Sequence, residues 1–211
     1  MTGAIVVTGT DTGIGKTVFA AGLAGLLGAH YWKPVQAGTE PEGDSETVAR
    51  LSGLPRERVL PEAYRLKMPA SPHLAAREEG LVIDSARLAL PTIEGPLIVE
   101  GAGGVLVPLS ENLLMADLFA SWNAPAIVCA RTGLGTINHS LLTVRALQAA
   151  GVQVLGVAFI GDPHAENERV VPKLAGVPSL GRLPWLDPLD RDTLRNAMRA
   201  HIDLTPLKVV R

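Results

Sequence analysis

Three observations predict an α/β fold with a mainly parallel sheet flanked by helices on both faces. Short runs rich in β-branched residues recur along the chain, segments with helical spacing separate them, and the runs are apolar throughout, as strands buried on both faces are. The strand-like runs are Ala4 to Thr8, Tyr31 to Val35, Pro96 to Val99, Ala126 to Cys129, Val152 to Phe159 and Ser179 to Leu183. The helical segments are Lys16 to Leu27, Asp44 to Ser52, Leu113 to Trp122, Asn138 to Ala150, Glu166 to Ala175 and Leu189 to Ala200. Alternation of this kind implies crossover units, so neighbouring strands run parallel. The length of 211 residues and the 47% hydrophobic content suit one core, so a single domain over residues 1–211 is expected. Residues 36–95 are its least regular part: Pro41, Pro55, Pro61, Pro69, Pro72 and Pro91 break the pattern, as an insertion that builds a substrate site would. No internal repeat or low-complexity tract marks a linker.

The formal charge of −2 supplies no positive field for a nucleic-acid backbone, so nucleic acid is not an expected partner. Met1 leads directly into the first strand-like run, and no apolar stretch is long enough to span a bilayer, so a cytoplasmic protein without membrane contact is expected. Cys129 is the only cysteine and lies in an apolar run, which fits a buried, inert thiol in a reducing compartment.

In sheets of this class ligands bind beyond the carboxyl ends of the strands. After the first run the chain reads Gly9-Thr10-Asp11-Thr12-Gly13-Ile14-Gly15-Lys16-Thr17 and then opens a helix, the context of a phosphate-binding loop. Glycines allow backbone N–H groups to converge on phosphate oxygens, and the helix amino terminus adds partial positive charge. Lys16 would reach the β- and γ-phosphates, and the Thr17 hydroxyl would bind magnesium. The strict pattern has glycine where Thr10 stands, with Gly9 one position earlier, so the loop is a variant. The fold is then of the P-loop NTPase type.

Glu100 ends a buried run and is followed by Gly101-Ala102-Gly103-Gly104, small residues that permit close backbone approach. Phosphoryl-transfer enzymes place a carboxylate beside magnesium at such a position, although a strand-end glutamate can also simply face solvent. Asp44 on its own reads as a helix cap. Lys33 sits at the same edge of the sheet as the loop, where an ammonium suits charge stabilisation in phosphoryl chemistry but a surface lysine is equally natural. The stretch Arg131 to His139 opens another helix and offers free N–H groups to an anion, or is a glycine-containing loop capped by Asn138. No two histidines stand at metal-ligand spacing, so no zinc site is expected.

Taken in order, the phosphate loop, Lys33-Pro34-Val35-Gln36-Ala37-Gly38, Ser71-Pro72-His73, Val99 to Gly104, Leu134-Gly135-Thr136-Ile137-Asn138-His139 and Leu183-Pro184-Trp185-Leu186 resemble the dethiobiotin synthetases over nearly the whole chain. The resemblance implies an ATP-dependent cyclo-ligase of biotin biosynthesis, a homodimer whose substrates are 7,8-diaminononanoate, carbon dioxide and a magnesium-bound nucleoside triphosphate. It implies catalysis by Lys33, Lys16 and Thr12, and magnesium held by Thr17, Asp44 and Glu100. Nucleotide contacts fall to Gly13, Ile14, Gly15, Lys16, Thr17 and Val18, to Asp44, Glu100, Gly101, Ala102 and Gly103, and near the base to Ile160, Gly161, Pro184, Trp185 and Leu186. Substrate contacts fall to Lys33, Ala37, Ser71 and Pro72, with Gly135, Thr136, Ile137 and Asn138 supplied by the neighbouring subunit.

Two departures stand out. Ala37 replaces a serine or threonine common in the family, removing one substrate hydrogen bond. Ile160-Gly161 stands where adenine-reading members have asparagine, so ATP, or another nucleoside triphosphate, is the expected co-substrate. A regulatory ATPase of the partitioning class shares the loop but usually carries an extra lysine early in it, where this chain reads Thr10-Asp11-Thr12. A cobyrinate-type amide ligase is the other alternative, but it would carry a glutamine-hydrolysing domain with a nucleophilic cysteine.

Overall fold

The computed structural model describes residues 3–209, and Met1, on which the reading of an untargeted amino terminus rests, lies outside them. The elements in chain order are β1 (Ala4–Gly9), α1 (Lys16–Leu27), β2 (His30–Trp32), β3 (Val35–Ala37), α2 (Asp44–Ser52), β4 (Val59–Leu60), β5 (Tyr64–Leu66) and α3 (Pro72–Glu78). The second half adds β6 (Leu97–Gly104), β7 (Pro108–Ser110), β8 (Leu113–Leu114), α4 (Met115–Ser121), β9 (Ala126–Arg131), α5 (Thr136–Ala149), β10 (Val154–Ile160), α6 (Ala165–Ala175), β11 (Ser179–Leu183) and α7 (Arg191–His201). Seven strands form the main sheet in the order β11-β10-β9-β1-β6-β2-β4, and every pairing in it is parallel.

The uniform apolarity of the runs has the predicted cause. In β1, Ala4 and Val6 enter one hydrophobic cluster while Ile5 and Val7 enter the other, so both faces of the sheet are dry. Phe19 and Leu23 of α1 and Leu194 and Met198 of α7 cover the Ile5 face. Phe119 of α4 and Val144 and Leu147 of α5 cover the opposite face. None of the helices among the described residues is long and apolar enough to cross a membrane.

Several boundaries differ from the sequence reading. The run predicted from Tyr31 to Val35 is split: β2 ends at Trp32, and Val35 to Ala37 leaves the main sheet to pair with β5 in a separate two-stranded ribbon. Pro34 explains the break, because it has no N–H for a sheet interior. Leu113 and Leu114 pair with β7 before α4 begins, and α5 starts at Thr136, two residues earlier than predicted. The proline-rich stretch 36–95 is well organised, containing β3, α2, β4, β5, α3 and two single 3-10 turns.

β6 departs from regular pairing where Glu100 stands. Val7 is opposite Glu100 and Gly9 is opposite Gly104, so the single residue between them in β1, Thr8, is matched by three in β6. Such a bulge re-aims side chains at a strand end, and small residues permit it. A Cβ on Gly101 would meet Phe119 Cζ at 2.7 Å.

Candidate active site

Gly15, with φ of 93°, is the left-handed residue that turns the chain from the loop into α1. It leaves the first turn of α1 without a side-chain cap, so the helix begins with free backbone N–H groups. The loop overhangs a cavity of about 580 Å³ lined by Thr12, Gly13, Gly15, Lys16 and Thr17 on one side. Lys33, Asp44 and Glu100 line its floor, and Gln36, Ala37, Ser71 and Pro72 line its far wall.

The charged groups on the floor form one connected cluster. Lys33, 4% exposed, lies with Nζ 2.5 Å from Asp44 Oδ2 and donates to Glu100 Oε1 at 3.1 Å and to the Gly101 carbonyl at 3.2 Å. The last bond uses a carbonyl from the stretch of β6 where the register with β1 is broken. The Thr17 hydroxyl donates to Glu100 Oε1 at 2.8 Å, and the Tyr31 hydroxyl donates to Glu100 Oε2 at 2.8 Å. Lys16 Nζ folds back to the Asp11 carbonyl at 2.6 Å. Glu100 is 1% exposed, so every partner counts: a buried carboxylate stripped of its donors costs several kcal/mol.

Burial pulls the Lys33 pKa down, but Glu100 and Asp44 together outweigh it and set it above the ordinary lysine value. Burial likewise pushes the Asp44 carboxyl up, yet the Lys33 charge and hydrogen bond, with Thr17, bring it below the ordinary value. Lys16 lacks a comparable partner, so burial and then the Lys33 charge lower its pKa. Burial and the Glu100 charge raise the Tyr31 phenol well above its usual range, which keeps it a hydrogen-bond donor. Burial pushes the Cys129 thiol up, in keeping with an inert core residue.

Asp44 does not cap α2. Gly43 holds that position, and the Asp44 side chain faces Lys33 instead. Gln36 explains how it is held: Gln36 Oε1 accepts from the Asp44 backbone N–H at 3.1 Å, while its Nε2 donates to the Gly38 carbonyl at 2.7 Å. Gln36 and Tyr31 are polar residues around the cluster to which the sequence reading gives no role. Tyr31 sits in an apolar run and Gln36 just past it, and each shows its role only through a contact distant in sequence or across a loop.

Other predicted positions lie away from this cavity. Ile14 and Ile160 are core side chains, and a Cβ on Gly15 would touch Ile160 Cγ2 at 3.0 Å. Val18 is only partly buried against the same cluster, and Gly101 lies beneath Phe119. Gly161, with φ of 126°, and the exposed Trp185 indole stand together at the carboxyl end of β10, where a Cβ on Gly161 would be 3.6 Å from Trp185 Cζ2. The Gly161 N–H donates to Leu183, and its carbonyl accepts from Arg182 at 3.0 Å. Thr136 lines a small recess with Asp11, Arg131, Leu134 and His139, separate from the main cavity. Among the described residues no three histidine, cysteine or acidic side chains cluster as a ready-made metal cage.

The AAA domain family model matches residues 3–193. The ATP-dependent dethiobiotin synthetase of Rhodopseudomonas palustris strain HaA2 is 63% identical over 197 residues, covering 93% of this chain and 92% of that one. The enzyme of the same name from Brucella anthropi is 55% identical over 199 residues, covering 94% of each chain. Among solved structures, a ParA family ATPase from Chlorobium tepidum superposes with a TM-score of 0.53 at 10% identity, covering 98% of this chain and 96% of that one, a likeness of fold alone. With its phosphate loop overhanging a buried lysine–carboxylate cluster, the chain belongs to the ATP-dependent dethiobiotin synthetase family.

Proposed function

We propose that this chain closes the ureido ring of dethiobiotin in biotin biosynthesis, using 7,8-diaminononanoate, carbon dioxide and ATP. One observation carries the reading beyond family membership: Lys16, Thr17, Lys33, Asp44 and Glu100 converge on a single cavity under the phosphate loop. In this reading one substrate amine adds to the carbon of carbon dioxide and loses a proton, giving a carbamate. A carbamate oxygen then attacks the γ-phosphorus, breaking its bond to the β-bridging oxygen and releasing ADP. The second amine attacks the carbamoyl carbon, loses a proton, breaks the carbon–oxygen bond to the phosphoryl group so that phosphate leaves, and closes the urea.

The loop amides from Gly13 to Val18 bind the phosphates, and the Lys16 ammonium exchanges the Asp11 carbonyl for phosphate oxygens. Lys33 stabilises negative charge as it passes between carbamate and phosphate. Ser71, Pro72 and Ala37 line the wall where the diamine lies.

The donor set fits magnesium: one hydroxyl and two carboxylates, all hard oxygen ligands, are what this ion takes when substrate phosphates and water complete its shell. Thr17, Asp44 and Glu100 would hold it, which requires that Lys33 give up part of its hold on the two carboxylates. When bound, magnesium neutralises charge on the β- and γ-phosphate oxygens.

The Gly135 to Asn138 amides lie outside the cavity, so in this reading they reach the substrate carboxylate from the neighbouring subunit of a homodimer. Exposed Leu106 and Leu142 on the rim of a second cavity of about 360 Å³, with exposed Leu134 close by, support such a dimer face. A cytoplasmic location is part of the same reading.

The test is incubation with diaminononanoate, bicarbonate, magnesium and ATP, with detection of the cyclic urea by mass. Dethiobiotin should form in step with ADP, and Lys16→Ala should reduce the rate on the order of a hundredfold or more. ATP hydrolysis without a cyclic product would overturn the reading.

A further inference from the structure

We propose that Tyr31 is a positioning residue for this reaction, one that fixes the rotation of the Glu100 carboxylate from behind the site. The inference rests on the reading of Glu100 as a magnesium ligand. Glu100 has three side-chain donors, divided unequally. Oε1 receives Thr17 and Lys33, while Oε2 receives Tyr31 at 2.8 Å. Thr17 and Lys33 both line the cavity, where each has a competing task once ligands enter. Tyr31 does not line it and is fully buried. It is therefore the donor that can remain while the other two are drawn away.

The strand register explains why tyrosine is the residue that does this. Tyr31 of β2 is directly opposite Ile98 of β6, two residues before Glu100 on the same face. With parallel strands about 4.8 Å apart and rising about 3.3 Å per residue, such diagonal neighbours have α-carbons roughly 8 Å apart, within reach of an aromatic side chain and its terminal hydroxyl. Phenylalanine would fill the same space but offer no donor to Oε2. The terminal torsion of a glutamate is soft, so one fixed oxygen is what distinguishes an aimed carboxylate from one free to turn. Removing a hydrogen bond behind a metal ligand typically weakens metal binding about 10–100-fold.

The experiment compares wild type, Tyr31→Phe, Glu100→Gln and the double variant by calorimetric titration of Mn²⁺ in the presence of ADP, with metal-free ADP binding and thermal stability measured alongside. Tyr31→Phe should raise the metal dissociation constant about tenfold and leave metal-free ADP binding unchanged. Adding Tyr31→Phe to Glu100→Gln should weaken metal binding no further, because the tyrosine acts through the carboxylate. If Glu100→Gln loses metal affinity while Tyr31→Phe binds as wild type does, the positioning role is wrong and the reading of Glu100 stands. If Glu100→Gln also binds metal normally, the reading of Glu100 fails instead. The chain has only two tyrosines, so 3-fluorotyrosine labelling gives a second test that does not depend on Tyr31→Phe folding. The Tyr31 fluorine resonance should move in Glu100→Gln, and a resonance that stays put would overturn the contact.

Discussion

Lys33 holds two carboxylates and a carbonyl at once, and this triple engagement predicts two separate losses on its removal. Lys33→Gln should keep nucleotide binding but lose turnover on the order of a hundredfold, because its charge matters most as charge moves between carbamate and phosphate. It should also lower the melting temperature, since breaking a buried ion pair typically costs about 3–5 kcal/mol and a glutamine amide recovers only part of that. A variant that lost triphosphate affinity and kept its maximal rate would make Lys33 a ground-state phosphate clamp. Asp44 carries a pH signature. Its carboxyl is held below the ordinary value in the folded state, so its contribution is complete above the unfolded pKa of about 3.9 and is lost as pH falls through the lower folded value. The stability deficit of Asp44→Asn, read as a urea midpoint, should be full at neutral pH and shrink below about pH 4. A deficit that does not change with pH would deny the pairing with Lys33. Lys33, Asp44 and Glu100 were each legible in the sequence, though only with alternatives open, because an isolated charge does not announce its partner. Tyr31 was not legible: the pattern shows one more apolar strand residue, and its hydroxyl has a destination only once β2 pairs with β6.

Among the elements, β6 carries the most local constraint on the cavity, and the end of β10 carries another outside it. The β6 bulge brings Gly101 against Phe119 of α4, with no room for a methyl group. Gly101→Ala should cost about 1–3 kcal/mol through overpacking, and Phe119→Leu in the same chain should recover part of it. Unchanged denaturant midpoints in Gly101→Ala would show that the bulge yields freely. At the carboxyl end of β10, Gly161 has no side chain to offer a base, and its own N–H and carbonyl already serve Leu183 and Arg182. Discrimination is large only where a wrong base leaves a buried polar group unpaired. If the base of the nucleotide lies at this corner, CTP and GTP should support the reaction within roughly tenfold of ATP, a gap of about 1.4 kcal/mol. Side-by-side rates at subsaturating nucleotide decide this, and a preference for ATP of several hundredfold would mean that another group reads adenine. Element types were readable from periodicity, whereas boundaries failed where a proline or a second small sheet intervened, as at Pro34 and Leu113.

On the scale of the whole molecule, the two dry faces of the sheet made the architecture legible, because unbroken apolar strands alternating with helices admit few other solutions. Strand order was not legible. That β6 inserts between β1 and β2, and so brings Glu100 beside both the phosphate loop and Tyr31, is a long-range choice that no window of sequence contains. The division of the predicted substrate residues, with Ser71 and Pro72 in the cavity and Gly135 to Asn138 outside it, makes assembly the remaining variable. If a neighbouring chain completes the site, sedimentation should find a two-chain particle, and specific activity should fall as dilution drives that particle apart. Constant specific activity in a demonstrably monomeric sample would refute the shared site. The backbone at Gly161 also constrains what descendants of this chain can become. A φ of 126° is a conformation that side-chain-bearing residues enter only with strain, on the order of 1–3 kcal/mol, and Thr132 Oγ1 would lie 3.1 Å from the added Cβ. An asparagine placed here would be strained in its backbone and crowded against Thr132. The turn would first have to relax elsewhere, so a side-chain contact at this corner takes more than one substitution.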